Sequence, residues 1–185
     1  MLTSLSRRRL LQQIGVIGIA SAFYALTIYL TAILNIPGSD NVQLRPGVAI
    51  PIICGALFGP VAGFASGFAG NLAADQILGW GWWPFWYLGN GIIGLAAGFL
   101  RPSKPDYTRL STAFNVVGRA TVGTALGIGI ASISELWVTQ SSWSDVLWVN
   151  FLPAFLSNVV NITVLVPIIL IIYGIMREST SLNPA

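Results

Sequence analysis

The chain has 185 residues, of which 55% are apolar and only 8% charged. A soluble domain carries about 25% charged residues, and nine basic plus six acidic groups cannot clothe a soluble globule of 19.7 kDa with a mean hydropathy of +0.76. The composition therefore implies an integral membrane protein and excludes several chemistries. With no histidine, histidine-based zinc sites and histidine general bases are out. The single cysteine, Cys54, cannot form an intrachain disulfide and reads as a buried thiol in an apolar run. No G-x-x-x-x-G-K-[ST] motif is present, so the chain does not hydrolyse ATP through a P-loop. The basic residues sit at the ends of apolar runs, which orients a membrane protein rather than grips a duplex.

In chain order, Ser6-Arg7-Arg8-Arg9-Leu10-Leu11 has the look of a twin-arginine signal, with Ala20-Ser21-Ala22 as a mock cleavage site. The apolar run continues to Leu34, however, so the reading is a basic cytoplasmic anchor at 1–10 before a first spanning helix. Apolar segments follow at 11–34, 47–58, 61–78, 85–100, 111–134 and 150–175. They make a membrane domain over 11–176 and leave a short tail at 177–185. The second segment is too short for the roughly 20 residues a full span needs, and it ends at Gly59-Pro60. Either 47–78 is a helical hairpin turning at Gly59-Pro60, or it is one long kinked helix. Charge decides between them. In the hairpin, Arg7, Arg8, Arg9, Arg101, Lys104, Arg109 and Arg177 share one side, and only Arg45 lies in an opposite loop. The expected fold is thus an all-α integral membrane protein, a six-transmembrane-helix bundle with both termini cytoplasmic, in a prokaryotic-type plasma membrane.

That topology puts all seven tryptophans on the outer side: Trp80, Trp82, Trp83, Trp86, Trp137, Trp143 and Trp148. Aromatic belts normally mark both interfaces, so a one-sided set suggests more than anchoring. Glycines recur at four-residue spacing in Gly59/Gly63/Gly67, Gly94/Gly98 and Gly123/Gly127. Such spacing lets helix backbones approach closely where lipid supplies no hydrophobic drive.

Polar residues within the bilayer are costly and are candidates for function. Asn71 and Asp75 are four apart and share a helix face. Asn90 stands near Trp83 and Trp86; Glu135 caps segment five; Asn158 and Asn161 lie in the outer half of segment six. With Asn41 and Arg45 at the outer mouth, these could converge on an outward-facing pocket with tryptophan walls. Indole faces stack on planar ligands, and carboxamides and carboxylates orient them. Each has a plainer alternative: Asp75, Asn158 and Asn161 as bonds between helices, Arg45 as a partner of Asp40 or lipid, Arg119 as a snorkelling or bundle-pairing group. No nucleophile with a base, no metal cluster and no phosphotransferase signature accompanies them, so the expectation is a non-enzyme without metal or cofactor. A channel would need a filter, and a self-sufficient transporter would usually show inverted repeats.

The order Asn41-Val42-Gln43-Leu44-Arg45-Pro46, Phe58-Gly59-Pro60-Val61-Ala62-Gly63, then Gly67, Gly70, Asn71, Asp75, Trp83, Gly89-Asn90-Gly91 and Gly94 resembles the substrate-binding S components of energy-coupling factor (ECF) transporters, in particular the riboflavin-type branch. The resemblance covers most of 10–100 and is compatible from 111 to 176. It implies a membrane-embedded subunit that captures a water-soluble, vitamin-like solute outside the cell. Its implied partners are a transmembrane coupling protein and two cytoplasmic ATPases, on which the bundle topples to release the solute. It also implies docking through small residues on the first helix, for which Gly18/Ala22 and Ser21/Ala25 are the nearest matches. The rival reading is a small self-sufficient transporter or channel.

Overall fold

A computed structural model describes residues 4–37, 39, 42–103 and 105–182; Asn41, Asp40 and Lys104 lie outside the described residues. Helices make up most of the described residues: α1 Ser4–Thr31, α2 Ala49–Phe58, α3 Pro60–Leu78, α4 Pro84–Gly98, α5 Leu110–Val138, a short turn α6 Trp143–Asp145, and α7 Leu152–Leu182. A 3-10 turn, Pro46–Val48, leads into α2, and a π-helical stretch, Val146–Phe151, leads into α7. Among the described residues, three helical spans are long and apolar enough to cross a membrane: Leu10–Thr31, Leu110–Val138 and Trp143–Thr180.

Proline and glycine set several boundaries. Pro60 and Pro84 open α3 and α4, where the missing N–H costs nothing. Gly59, with φ at +106°, makes the break between α2 and α3. The two helices fold back on one another there, since a Cβ added at Gly63 would lie 2.7 Å from Cα of Gly55. A continuous helix would hold those residues about 12 Å apart, at 1.5 Å rise per residue. The hairpin, not the kinked helix, is what the chain forms.

α4 packs between α3 and α5, α1 lies against α3, α7 lies against α5, and α2 fills the space beside α1, α3, α4 and α7. Glycine-lined crossings allow the tightest of these contacts. Backbones of α3 and α4 meet at Gly63–Gly94 and Gly67–Asn90, and α4 and α5 meet at Gly89–Gly127. The main core gathers Val48, Ile52, Ile93, Val116, Ile128, Ile162, Val166 and Leu170, and a smaller cluster joins Tyr24, Ala25, Ile28 and Ala74. Outside it, Ile14, Phe23, Val122, Leu126, Val164 and Ile172 are exposed, as side chains meeting lipid would be.

One end of the bundle is basic. Arg101 donates to the last carbonyls of α2, Ala56 O and Leu57 O, and the Tyr107 hydroxyl reaches Ala56 O at 2.7 Å. Arg119 donates to Phe99 O at 2.8 Å, at the end of α4. These contacts satisfy carbonyls that helix ends leave orphaned and place positive charge at the negative end of the helix dipole. In the same loop Asp106 accepts from Thr108 Oγ1 at 2.5 Å and pairs with Arg109 at 2.9 Å. Those bonds, Thr108's first, hold its carboxyl below the usual range.

Candidate functional site

At the opposite end lies a cavity of about 430 Å³. α2 has only ten residues, about 15 Å of helix, so the segment leading into it from residue 42 crosses that end in extended form. Asn35 and Gln43 make an isolated antiparallel bridge there. Residues two apart on an extended strand face the same way, and Gln43 and Arg45 both line the cavity.

A continuous hydrogen-bond chain forms one wall. Arg45 donates through Nε and Nη2 to Gln43 Oε1 at 3.3 and 3.0 Å, and through Nη1 to Asn71 Oδ1 at 3.0 Å. Asn90 Nδ2 donates to the same Asn71 oxygen at 3.1 Å and to Trp86 O at 2.9 Å. The buried Tyr24 hydroxyl of α1 donates to Asn90 Oδ1 at 2.7 Å. Asn71 Nδ2 reaches Asp75 Oδ2 at 3.4 Å, a long bond, and Asp75 Oδ1 is buried with no partner. The i, i+4 spacing of Asn71 and Asp75 on α3 is what aligns these two side chains.

Tryptophan supplies the apolar wall. Trp80, Trp83 and Trp86 line the cavity, whereas Trp82, Trp137, Trp143 and Trp148 are exposed on the outside of the same end. Gly79, with φ at +70°, ends α3 in the left-handed conformation, and Trp80 N returns to Asp75 O at 2.9 Å. That turn carries Trp80 back to the cavity. Trp83 Nε1 donates to Trp80 O at 2.8 Å, and Trp86 Nε1 donates to Glu135 Oε1 of α5 at 2.7 Å. Thr139 Oγ1 holds the other carboxylate oxygen at 2.9 Å.

Among the residues expected from sequence, Arg45, Asn71, Asp75, Trp83, Trp86, Asn90, Glu135 and Asn158 surround this one cavity. Asn41 falls outside the described residues. Asn161 stands apart from this group: its Nδ2 donates to Ser157 O at 2.9 Å within α7, one helical turn back. The sequence reading missed Gln43, Trp80, Thr139, Ser141 and Asn150. Period-two spacing from Arg45 could have found Gln43. Asn150 lies on the π-helical stretch before α7, a distortion invisible to helical periodicity. Tyr24 was missed as well, because its role as the donor to Asn90 depends on a contact between distant segments.

The small residues of α1 divide. Gly18 and Ala22 are exposed, and a Cβ at Gly18 would meet nothing within 4 Å. Ser21 and Ala25 face the bundle: Ser21 O abuts Gly70 of α3, and Ala25 is only 4% exposed. The Ser21/Ala25 pair is therefore an internal contact rather than a free docking surface.

Comparison with known proteins adds two findings. The chain is 39% identical over 83 residues to a UPF0397 protein of Vibrio atlanticus (strain LGP32), a match covering 45% of this chain and 44% of that relative. The profile of the family described as "ECF-type riboflavin transporter, S component" matches residues 10–178, from the start of the first apolar run nearly to the end of α7. With the helical bundle, the polar cavity at one end and a match of this extent, the chain belongs to the family of ECF-type riboflavin transporter S components.

Proposed function

We propose that this protein is the solute-binding subunit of an energy-coupled importer, with six helices crossing the membrane and the arginine-rich end in the cytoplasm. It captures a small, planar, vitamin-like solute from outside. A transmembrane coupling protein and two cytoplasmic ATPases then drive its uptake. One observation carries this reading: the cavity of about 430 Å³ joins three indoles to a wall of donors and acceptors at the end away from the basic loops. Its volume falls within the roughly 300–1,000 Å³ typical of small-molecule sites, and its mixture of aromatic area with a few converging polar groups is the usual composition of such sites. Orientation follows from the cytoplasmic excess of lysine and arginine in short loops.

The test is native mass spectrometry of the purified chain, followed by tryptophan-fluorescence titration with whatever is retained and with riboflavin. Saturable quenching would support capture. Co-purification of the chain with a coupling protein and an ATPase pair would support the partner assignment. Uptake by the chain alone, reconstituted into vesicles, would favour a self-sufficient transporter and overturn it.

A further inference from the structure

At the basic end a second, smaller cavity of about 290 Å³ opens beside the loop that joins α4 to α5. Leu100 and Pro105 form its apolar side. Thr112, Asn115 and Arg119 form its polar side, spaced along one face of α5. The bundle leaves Arg119 partly unused. Its Nη1 donates to Phe99 O at 2.8 Å, its Nε is buried with no acceptor, and no described residue accepts from Nη2. No described carboxylate lines the cavity, and Asp106 in the adjoining loop is paired with Arg109. Arg101 is committed to the end of α2.

Depth gives Arg119 its setting. α5 has 29 residues, about 44 Å of helix against roughly 30 Å of hydrocarbon. Centred in a bilayer, it overhangs each side by about 7 Å, and Cα of Arg119 lies about 7 Å inside the nearer boundary. From there the side chain runs back towards the headgroups, the course that its bond to the end of α4 follows. Beside it, Leu100 holds a φ of +51° and is 84% exposed. A left-handed leucine has no polar side chain to offset its strain, and in water its exposed side chain gains nothing. Phe99, Leu110 and Phe114 are exposed around it.

We propose that this cavity holds the headgroup of an anionic phospholipid. The guanidinium of Arg119 takes the phosphate, Thr112 and Asn115 take glycerol oxygens, and Phe99 and Leu100 lie along the acyl chains. A phosphodiester supplies both the charge and the acceptor that Arg119 lacks. A soluble phosphate ester would answer the arginine and leave Phe99 and Leu100 bare. A partner protein's carboxylate would do the same.

The test uses the full chain, delipidated in detergent and titrated with phosphatidylglycerol or phosphatidylcholine, with bound lipid read by native mass spectrometry. Phosphatidylglycerol is expected to bind at least about fivefold more tightly, the weight of one interfacial arginine. Arg119→Gln keeps a donor for Phe99 O, loses the charge and should erase most of that preference. Asn115→Leu leaves Arg119 in place and should also weaken phosphatidylglycerol binding. Leu100→Gly removes the strain, so it should raise the melting temperature of the lipid-free protein and reduce the further rise that phosphatidylglycerol gives. An unchanged preference in Arg119→Gln, or in Asn115→Leu should the former not fold, assigns the lipid to other basic residues and overturns the proposal. Glycerol 3-phosphate that stabilises the parent but not Arg119→Gln makes the ligand a soluble ester and overturns it too. So does an Arg119→Gln protein that keeps its lipid preference yet no longer co-purifies with the coupling protein. None of these readouts involves the tryptophan-lined cavity, so solute binding stands or falls separately.

Discussion

Trp86 of α4 and Glu135 of α5 are joined by an indole N–H to carboxylate bond of 2.7 Å across 49 positions of sequence. The bond fixes one cavity wall, and Thr139 fixes the carboxylate in turn. Glu135→Ala removes the acceptor and frees the indole. Solute affinity should fall about 5–30-fold, equivalent to roughly 1–2 kcal/mol. Glu135→Gln retains an acceptor oxygen and should lose less. Fluorescence titration of both variants against the solute identified by mass spectrometry checks this, and equal losses would show that charge rather than the indole bond matters.

Tyr24 reaches from α1 to Asn90 of α4 at 2.7 Å, and both side chains are buried. Tyr24→Phe leaves Asn90 Oδ1 without its donor. The expected destabilisation is about 1–3 kcal/mol, the cost of a buried unsatisfied acceptor. Thermal unfolding in detergent measures it. A melting temperature equal to that of the parent would mean that water replaces the hydroxyl.

Two glycines should respond oppositely to alanine. At Gly94 an added Cβ would collide with the backbone carbonyl of Gly63, so Gly94→Ala must push α3 and α4 apart. Overpacking of this kind costs about 1–3 kcal/mol. At Gly118, inside α5, an added Cβ meets nothing within 4 Å. Gly118→Ala should stabilise the helix by about 0.5–1 kcal/mol. Paired unfolding measurements decide; a Gly94→Ala protein as stable as the parent would contradict the α3–α4 contact, and a destabilised Gly118→Ala protein would contradict the open space at Gly118.

The exposed pair on α1 gives a coupling prediction. Ala22→Trp should block assembly with the coupling protein while leaving solute binding by the isolated chain intact, because Ala22 faces outward. Ala25→Trp should instead damage the fold, since Ala25 packs with Tyr24, Ile28 and Ala74. Co-purification and solute titration, run side by side, separate the two. Undiminished assembly of the Ala22→Trp protein would move the docking face elsewhere.

Topology has its own check. Ser103 is exposed in the basic loop between α4 and α5. In a Cys54→Ala background, Ser103→Cys should resist a membrane-impermeant thiol reagent added outside intact cells and react after lysis. Ready labelling from outside would invert the orientation and put the cavity in the cytoplasm.

Helix existence was legible because apolar runs punctuated by proline and glycine constrain local backbone directly: Gly59-Pro60, Pro84 and Gly79 mark ends that follow from φ alone. The split of Asn71 and Asp75 to one face was legible for the same reason, as 3.6-residue periodicity. Charge placement distinguishes hairpin from kinked helix without any tertiary contact. What lay beyond the sequence were pairings between segments far apart in the chain. Asn158 and Asn161, three apart and chemically alike, part company: one lines the cavity and the other bonds its own helix. The tryptophans divide into three that wall the cavity and four that face outward. The small-residue pairs of α1 divide into one exposed and one packed on α3. In each case identical local chemistry meets different surroundings, and those surroundings are set by how α1, α3, α4, α5 and α7 pack, which no single segment encodes.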